Sequence, residues 1–471
     1  MKRALIAVVM ALTATVHAQE GAFEPVGPRY VLDGVEVRGN QKTRESVITN
    51  AVGLHAGDVI GADDRRVDAA RFHLLGLGLF EDVHLSLRKG EVRGHVVLVV
   101  EVVERGTIIL NEIFLGSSDA TTVWAGLDVG ENNFLGHGIS VSGAVVAGSQ
   151  ADIPNATSQQ GFRLRLWDPD VRGWNIGLGG EVLLNRGSEF FRSSGASDDA
   201  NPKLFQAVHY RRVGGQAGGS FDLGRIAHVR ITHRAEWLDA TLPEIRSRTL
   251  TNGEVQPIDF GIDQGTSLLS VFGVLVDFDT RDDPISPEHG FRLALDGQLA
   301  TTLWGSDYDY GRLTVAYDHY NRLPWAHHVL AFHLFGGAIV GDAPFFEQFF
   351  VGDLNRLLPP RALGLNFATQ PSRALLGLDA IRDQRYDPIA GRAAVEYVIP
   401  LFRGRKLVYA GDFFALAGIF TLTSFDALSQ RDTSLENALP FDLTFDIGVR
   451  LDTSIGVFSL SAGNAIGRLP L

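Results

Sequence analysis

The chain of 471 residues contains no cysteine, which excludes disulfides and thiolate metal ligands and leaves stability to packing and backbone pairing. Beyond residue 18 no apolar run approaches the roughly 20 residues that a helix needs to cross a bilayer. Basic residues are the minority: 42 Lys and Arg against 55 Asp and Glu give a net charge of −13, and binding to nucleic acid needs a cationic surface. Nucleic acid is therefore not an expected partner. Catalytic spacings are missing too, with no G-x-S-x-G elbow, no H-E-x-x-H helix and no P-loop. His327-His328 follows Pro324-Trp325 and reads as a turn beside an interfacial tryptophan. Neither an enzyme nor a cofactor is expected, the alternative being an outer-membrane lipase or protease whose residues are spread over separate strands. What is present is glycine, 53 residues or about 11% against a usual level of about 7%, together with 9% aromatics. That mixture, without long apolar runs, suits sheets better than helices.

Met1 to Ala18 has the three parts of a secretory signal: Lys2-Arg3, an apolar core from Ala4 to Leu12, and Val16-His17-Ala18 as a cleavage site. Residues 19–29 read as a linker. From Tyr30 to Arg105 the pattern is β-α-α-β-β. A first strand ends at the Gly39-Asn40 turn. A short helix follows with Thr43 as its expected N-cap, and a second begins near Asp63. Gly78-Leu79-Phe80 then leads into a strand through Val83.

From residue 106 to 471 period two takes over. Phe162, Leu164 and Leu166 alternate with Arg163 and Arg165; Leu313, Val315 and Tyr317 alternate with Arg312, Thr314 and Asp318; Phe441 to Leu451 alternates in the same way, as does Phe458 to Ala462. One such strand fits a soluble sandwich. Many of them, with charge on the alternate face, fit a transmembrane antiparallel β-barrel, whose outer face meets lipid while its lumen meets water. At about 10 residues per crossing strand plus connections, the segment accommodates about 16 strands. Ser149 to Gln160, Arg192 to Pro202, Arg246 to Asp259 and Leu428 to Leu439 are the expected extracellular loops.

Val276 to Phe291, VDFDTRDDPISPEHGF, joins two alternating segments through turn residues. Asp277, Asp279 and Arg281 share one parity and therefore one face. Clustered carboxylates can bind hard cations, but Arg281 competes for them, and no metal is expected. The run Asp279, Thr280, Arg281, Asp282, Pro287 and Gly290 resembles the DTRD…P…G signature of the BamA/TamA-type outer-membrane assembly factors, the bacterial surface antigen family. Asn132 to Gly138, NNFLGHG, resembles that family's turn joining the first two barrel strands. Ala393 to Leu401 resembles the strand after its sixth extracellular loop, and Gly448 to Gly456 its penultimate segment. Gly39, Asn40, Gly78, Phe80 and Val83 stand where a single POTRA domain has its motif.

The resemblance implies a 16-stranded barrel in the outer membrane of a Gram-negative-type cell, with the POTRA domain in the periplasm. It also implies capture of unfolded outer-membrane or secreted proteins by strand addition, contact with the lipid bilayer, and work with periplasmic chaperones or accessory lipoproteins. A two-partner-secretion-type transporter for a dedicated substrate is the alternative; a passive porin or surface adhesin is another of a different class. In the family the sixth loop folds into the lumen and carries an Arg-Gly-aromatic motif, whose arginine contacts an aspartate on a following strand. Here Phe349 to Leu354, including Gly352, matches the approach to that motif, but the Gly-aromatic pair is missing. Arg361, followed by Gly364, is the matching arginine by resemblance, with Arg356 and Arg373 as competitors. Leu416 stands where the aspartate is usual, and Asp412, on the same parity, is the expected partner. Asp279 and Arg281 are expected to help place that loop. The chain ends Arg468-Leu469-Pro470-Leu471, and a proline there cannot donate a ladder bond. The last strand thus finishes by about Ile466, or its seam with the first is short.

Overall fold

The computed structural model describes residues 28–463 apart from 62–63, 119, 172–173, 175, 196–200, 225, 284–285, 326, 351–353, 355–360, 370–385, 405–407 and 430–440. The expected leader, Gly352, Arg356 and Arg373 lie outside the described residues.

The first part is an α+β unit. Its strands are β1 (Arg29–Arg38), β2 (Val59–Gly61), β3 (Phe80–Lys89) and β4 (His95–Glu104), with helices α1 (Glu45–Val52) and α2 (Arg65–Gly76). The sheet order is β2-β1-β4-β3, with β1 and β4 parallel and the other pairs antiparallel. The short β2 between the helices is an addition to the expected β-α-α-β-β order. Leu32, Ile48, Leu74, Phe80, Val83 and Leu98 form its core. Gly39 ends β1 at φ 86°, where a Cβ would lie 2.1 Å from the Val102 carbonyl oxygen, so only glycine fits. The expected caps shift: α2 starts behind Asp64, whose carboxylate accepts from the Arg66 N–H at 2.9 Å, while Thr43 lies one residue before the α1 cap and bonds elsewhere.

The second part is a sheet of fifteen strands among the described residues, each antiparallel to the next. They are β5 (Ile108–Gly116), β6 (Trp124–Phe134), β7 (Ile139–Gly148), β8 (Gln159–Asp168), β9 (Ile176–Arg192), β10 (Phe205–Asp222) and β11 (Ala227–Thr241). After a small hairpin, β12 (Ser247–Thr249) with β13 (Val255–Pro257), come β14 (Gly265–Asp279), β15 (Gly290–Ala300), β16 (Tyr310–Arg322) and β17 (Val329–Gly341). The inward connection carries β18 (Phe349–Phe350), β19 (Arg361–Ala362), β20 (Leu365–Asn366) and β21 (Tyr386–Asp387). The wall resumes with β22 (Ile389–Arg403), β23 (Val408–Thr423), β24 (Phe441–Thr453) and β25 (Gly456–Gly463).

The wall closes nearly to a barrel. Fifteen strands stand where about 16 were expected, and because β5 lies ahead of it, the NFLGHG turn joins the second and third barrel strands rather than the first two. Apolar side chains such as Phe162, Leu164, Leu166, Leu313 and Ile447 are exposed on the outside, while their charged neighbours face the lumen, as expected of a transmembrane barrel. No described helix is long and apolar enough to cross a membrane. The rim beside the α+β unit is called the near rim below, the opposite one the far rim.

Candidate functional site: an inward loop and a seam

In the connection between β17 and β22 (residues 342–388), the described segments around 345–350 and 361–369 lie in the lumen. A 3-10 turn at Phe345–Glu347 opens the connection. Phe345 and Phe346 pack on Tyr210, at ring distances of 5.3 and 6.3 Å, and the Phe345 N–H donates to the Gly261 carbonyl at 2.8 Å. Between these aromatics Glu347 is buried. Its carboxylate accepts from the Arg234 guanidinium at 2.8 Å and from the Tyr310 hydroxyl at 3.0 Å. Arg234 also pairs with Glu236 at 3.2 Å, Glu236 pairs with Arg212 at 2.7 Å, and Arg212 lies over the Phe346 ring at 3.9 Å. The result is a continuous relay of alternating charge across β10, β11 and the loop. Each buried charge has a partner, which is the condition for keeping ions in a low-dielectric interior.

The loop is also fixed at a hairpin, β19–β20, whose turn residues Leu363 and Gly364 have φ of 52° and 79°, the signature of a primed two-residue turn. Asn185 donates to the Leu363 carbonyl at 2.7 Å, Gln159 to the Asn366 carbonyl at 2.6 Å, and Asn366 to Glu189 at 3.1 Å. Beyond it, Phe367 stacks on Trp124 with centroids 5.2 Å apart, and Ser118 donates to its carbonyl at 2.7 Å. The wall is thinned to receive the hairpin: a Cβ at Gly187 would lie 2.7 Å from Leu365, and one at Gly148 would lie 2.4 Å from Phe367.

The expected pair of Arg361 and Asp412 is replaced by other contacts. Arg361 lies over Phe350 at 4.9 Å and Tyr386 at 6.0 Å, whereas Asp412 accepts from Arg403 at 2.7 Å, across the near-rim hairpin that joins β22 to β23. The two residues sit at different heights of the barrel, because Arg361 enters with a loop rooted at the far rim. Leu416 lies directly across the ladder from Asp446. Asp446 is buried and neither of its oxygens has a hydrogen-bond partner among the described residues.

The Asp279–Gly290 turn lies at the near rim, bonded within itself and to its neighbours: the Asp279 N–H donates to the Ile226 carbonyl at 2.8 Å, and Glu288 pairs with Arg322 at 3.3 Å and with His327 at 2.8 Å. Arg281 donates to both Asp279 oxygens, at 2.9 and 2.6 Å, Asp282 accepts from the Glu288 and His289 N–H groups at 3.0 and 3.1 Å, and the Thr280 hydroxyl accepts from the Phe291 N–H at 3.0 Å. Gly290 has φ 101°, and a Cβ there would lie 2.3 Å from the Thr280 carbonyl oxygen. Pro287 lies in the same turn. Among the described residues, the anchors of the inward loop stand in the far half of the wall.

Glu347 and Arg234 were missed by the sequence reading. A signal existed: one carboxylate inside Phe345-Phe346-Glu347-Gln348-Phe349-Phe350 must find a cation if the run is buried.

Pairing between described barrel strands stops at β5 and β25, which run in the same direction. At the near rim they are tied by the Leu110 N–H donating to the Ile455 carbonyl at 2.8 Å. Beside this tie Arg105, the last residue before the barrel, donates to Asp452 at 3.1 Å and to the Thr453 carbonyl at 3.2 Å. The α+β unit docks on the β6–β7 turn. Asn133 donates to the Thr43 hydroxyl at 2.9 Å, and the Arg44 N–H donates to the Gly136 carbonyl at 3.0 Å. The Asn40 amide steadies this loop by donating to the Thr43 carbonyl at 3.0 Å. Glu104 accepts from the N–H groups of Thr43 and Lys42 at 2.7 and 3.0 Å. Burial pushes the Glu104 carboxyl up, but these bonds outweigh it and hold it below its ordinary value.

Residues 133–468 match the Omp85 superfamily domain. In structure the chain is similar to BamA from Haemophilus ducreyi lacking POTRA domains 1-3, with 16% identity, 92% of this chain and 80% of that chain covered, and a TM-score of 0.50. It is also similar to CdiB from Escherichia coli, with 12% identity, coverage of 92% and 72%, and a TM-score of 0.57. No curated protein matches the chain in sequence. With the family domain covering most of a nearly closed antiparallel barrel, the chain belongs to the Omp85 superfamily.

Proposed function

We propose that this protein is an outer-membrane assembly or translocation factor. Its α+β unit is a single POTRA domain in the periplasm, which captures an unfolded strand and passes it to the barrel seam. The observation that carries this reading is the seam. Among the described residues, two edge strands of one direction leave backbone groups unpaired that a strand running the other way can satisfy on both sides, and in lipid such groups must be satisfied. The free edge of β3 in the α+β sheet supplies a first station by the same chemistry. Because β3 is long while β2 has three residues, β3 is the edge that offers a useful length of ladder.

On this reading the near rim is periplasmic and the far rim extracellular. The clients are outer-membrane or secreted proteins, with periplasmic chaperones or accessory lipoproteins delivering them. No nucleotide is required, since burial of apolar strands and pairing of their backbone drive the step. Depletion of the protein in cells tests it. A general fall in other barrel proteins is the expected result. Loss of one secreted protein alone assigns a dedicated transporter instead, and a change confined to small-solute permeability sinks the proposal in favour of a porin.

A further inference from the structure

On the outer wall, Arg186 of β9 and Arg211 of β10 stand directly opposite each other across the ladder. Their neighbours fix the side they occupy: Asn185 and Arg212 bond or pack against the inward loop, so Arg186 and Arg211 point outward, and both are exposed. Neither forms an ion pair or side-chain hydrogen bond with any described residue. Directly opposed side chains have Cβ atoms about 5 Å apart, and two like charges so placed destabilise the sheet unless something lies between them.

Their height is equally specific. Toward the near rim the next outward residues are Leu184 on β9, Val213 on β10 and Trp237 on β11, in one cross-strand row; Trp237 is 59% exposed, as an interfacial tryptophan would be. Toward the far rim the next row holds Ser188 and His209, 3.1 Å apart, with Thr157 bonded to Ser188. Above that row the segment around residues 151–156 folds over the outside of the wall, where Ala151, Ile153 and Ala156 bury Phe190 and Ala207. The two arginines thus occupy a niche between an apolar floor and a polar lip, at the boundary where hydrocarbon gives way to headgroups. Asp239 faces Arg211 from β11 and Gln160 faces Arg186 from β8, so the niche keeps a net positive charge.

We propose that Arg186 and Arg211 bind the phosphate of a phosphorylated lipid headgroup in the far, extracellular leaflet. Guanidinium is the group suited to phosphate, because its planar donors meet two oxygens at once. The lipid's acyl chains lie along Leu184, Val213 and Trp237, and the lip excludes bulk water from the contact. A free anion would use only the arginines, whereas a lipid uses the floor as well, and the adjoining apolar row favours the lipid. The inference rests on the outer-membrane reading above.

The test uses the full chain folded in detergent and inserted into vesicles, with retained lipid counted by native mass spectrometry. The probes are bis-phosphorylated lipid A, the same lipid after dephosphorylation, and inorganic phosphate. Wild type is expected to retain one phosphorylated lipid and no dephosphorylated one. The R186Q/R211Q variant is expected to bind about tenfold more weakly or worse, R186K/R211K to stay between the two, and R29Q/R93Q, which removes equal charge from the α+β unit, to match wild type. Equal retention by R186Q/R211Q, or equal retention of the dephosphorylated lipid, overturns the site; so does displacement of the lipid by inorganic phosphate at equal concentration. A chain that fails to insert into vesicles refutes the outer-membrane reading itself, whereas one that inserts without a preference for phosphate refutes only this niche.

Discussion

Replacing Glu347 by Gln removes one charge from the inward loop while keeping its shape. Glu347 holds Arg234 at 2.8 Å and Tyr310 at 3.0 Å, with both partners of the ion pair largely shielded from solvent. Removing one member of a buried pair costs about 3–5 kcal/mol, because the other charge is left uncompensated. Arg234 keeps Glu236 at 3.2 Å, and glutamine still accepts from Tyr310, so the expected cost lies at the lower end, about 3 kcal/mol. Since each 1.4 kcal/mol is a factor of ten, the equilibrium between docked and released loop shifts by about 100-fold. Limited trypsin digestion of the folded full chain reads this directly at Arg361 if release is fast relative to cleavage. Cleavage after Arg361 is expected to accelerate by about two orders of magnitude, while unboiled gel mobility shows that the barrel remains intact. Adding R234M should recover most of the loss: the remaining Glu236 keeps Arg212, and an apolar replacement removes the orphaned charge. Cleavage at the wild-type rate in E347Q would refute the reasoning.

Three further outcomes are expected. Reversing charge at Arg361 and Asp412 together should restore nothing lost in the single variants, since Asp412 is held by Arg403; recovery of the same loop protection would show a pair that this geometry does not contain. Gly39→Ala should destabilise the α+β unit by about 3 kcal/mol or more, through positive φ combined with a clash on the Val102 carbonyl, whereas Gly53→Ala, with φ 63° and open space around it, should cost about 1 kcal/mol; equal shifts in denaturant midpoint would contradict the assigned packing. Finally, the folded Glu104 carboxyl lies below its ordinary value, so its contribution is fully present above the unfolded value and is lost as pH falls through the folded one. Amide exchange at Lys42 and Thr43 should therefore speed up, relative to intrinsic rates, on acidification below the ordinary carboxylate range. E104Q should flatten that dependence, and an unchanged profile in E104Q would assign it elsewhere.

Some of this architecture is set by local chemistry and is legible residue by residue. Phe162-Arg163-Leu164-Arg165-Leu166 alternates because a strand sends successive side chains to opposite faces, and that alone places lipid and lumen. Gly39 and Gly290 mark bends that only glycine completes, and Asp279, Thr280 and Asp282 each accept a hydrogen bond from within their own hairpin. These features bond within one turn or one hairpin, and the sequence by itself determines them. The tertiary structure alone decided which arginine meets which carboxylate. Arg234 and Glu347 are separated by 113 positions and meet because a loop rooted at the far rim folds inward, while Asp412, although on the expected parity, lies at the near rim beside Arg403. The seam and the Arg186–Arg211 niche are of the same kind. Parity gives the face a side chain occupies, but its height and its cross-strand neighbours follow from register, which every strand pairing around the barrel sets together.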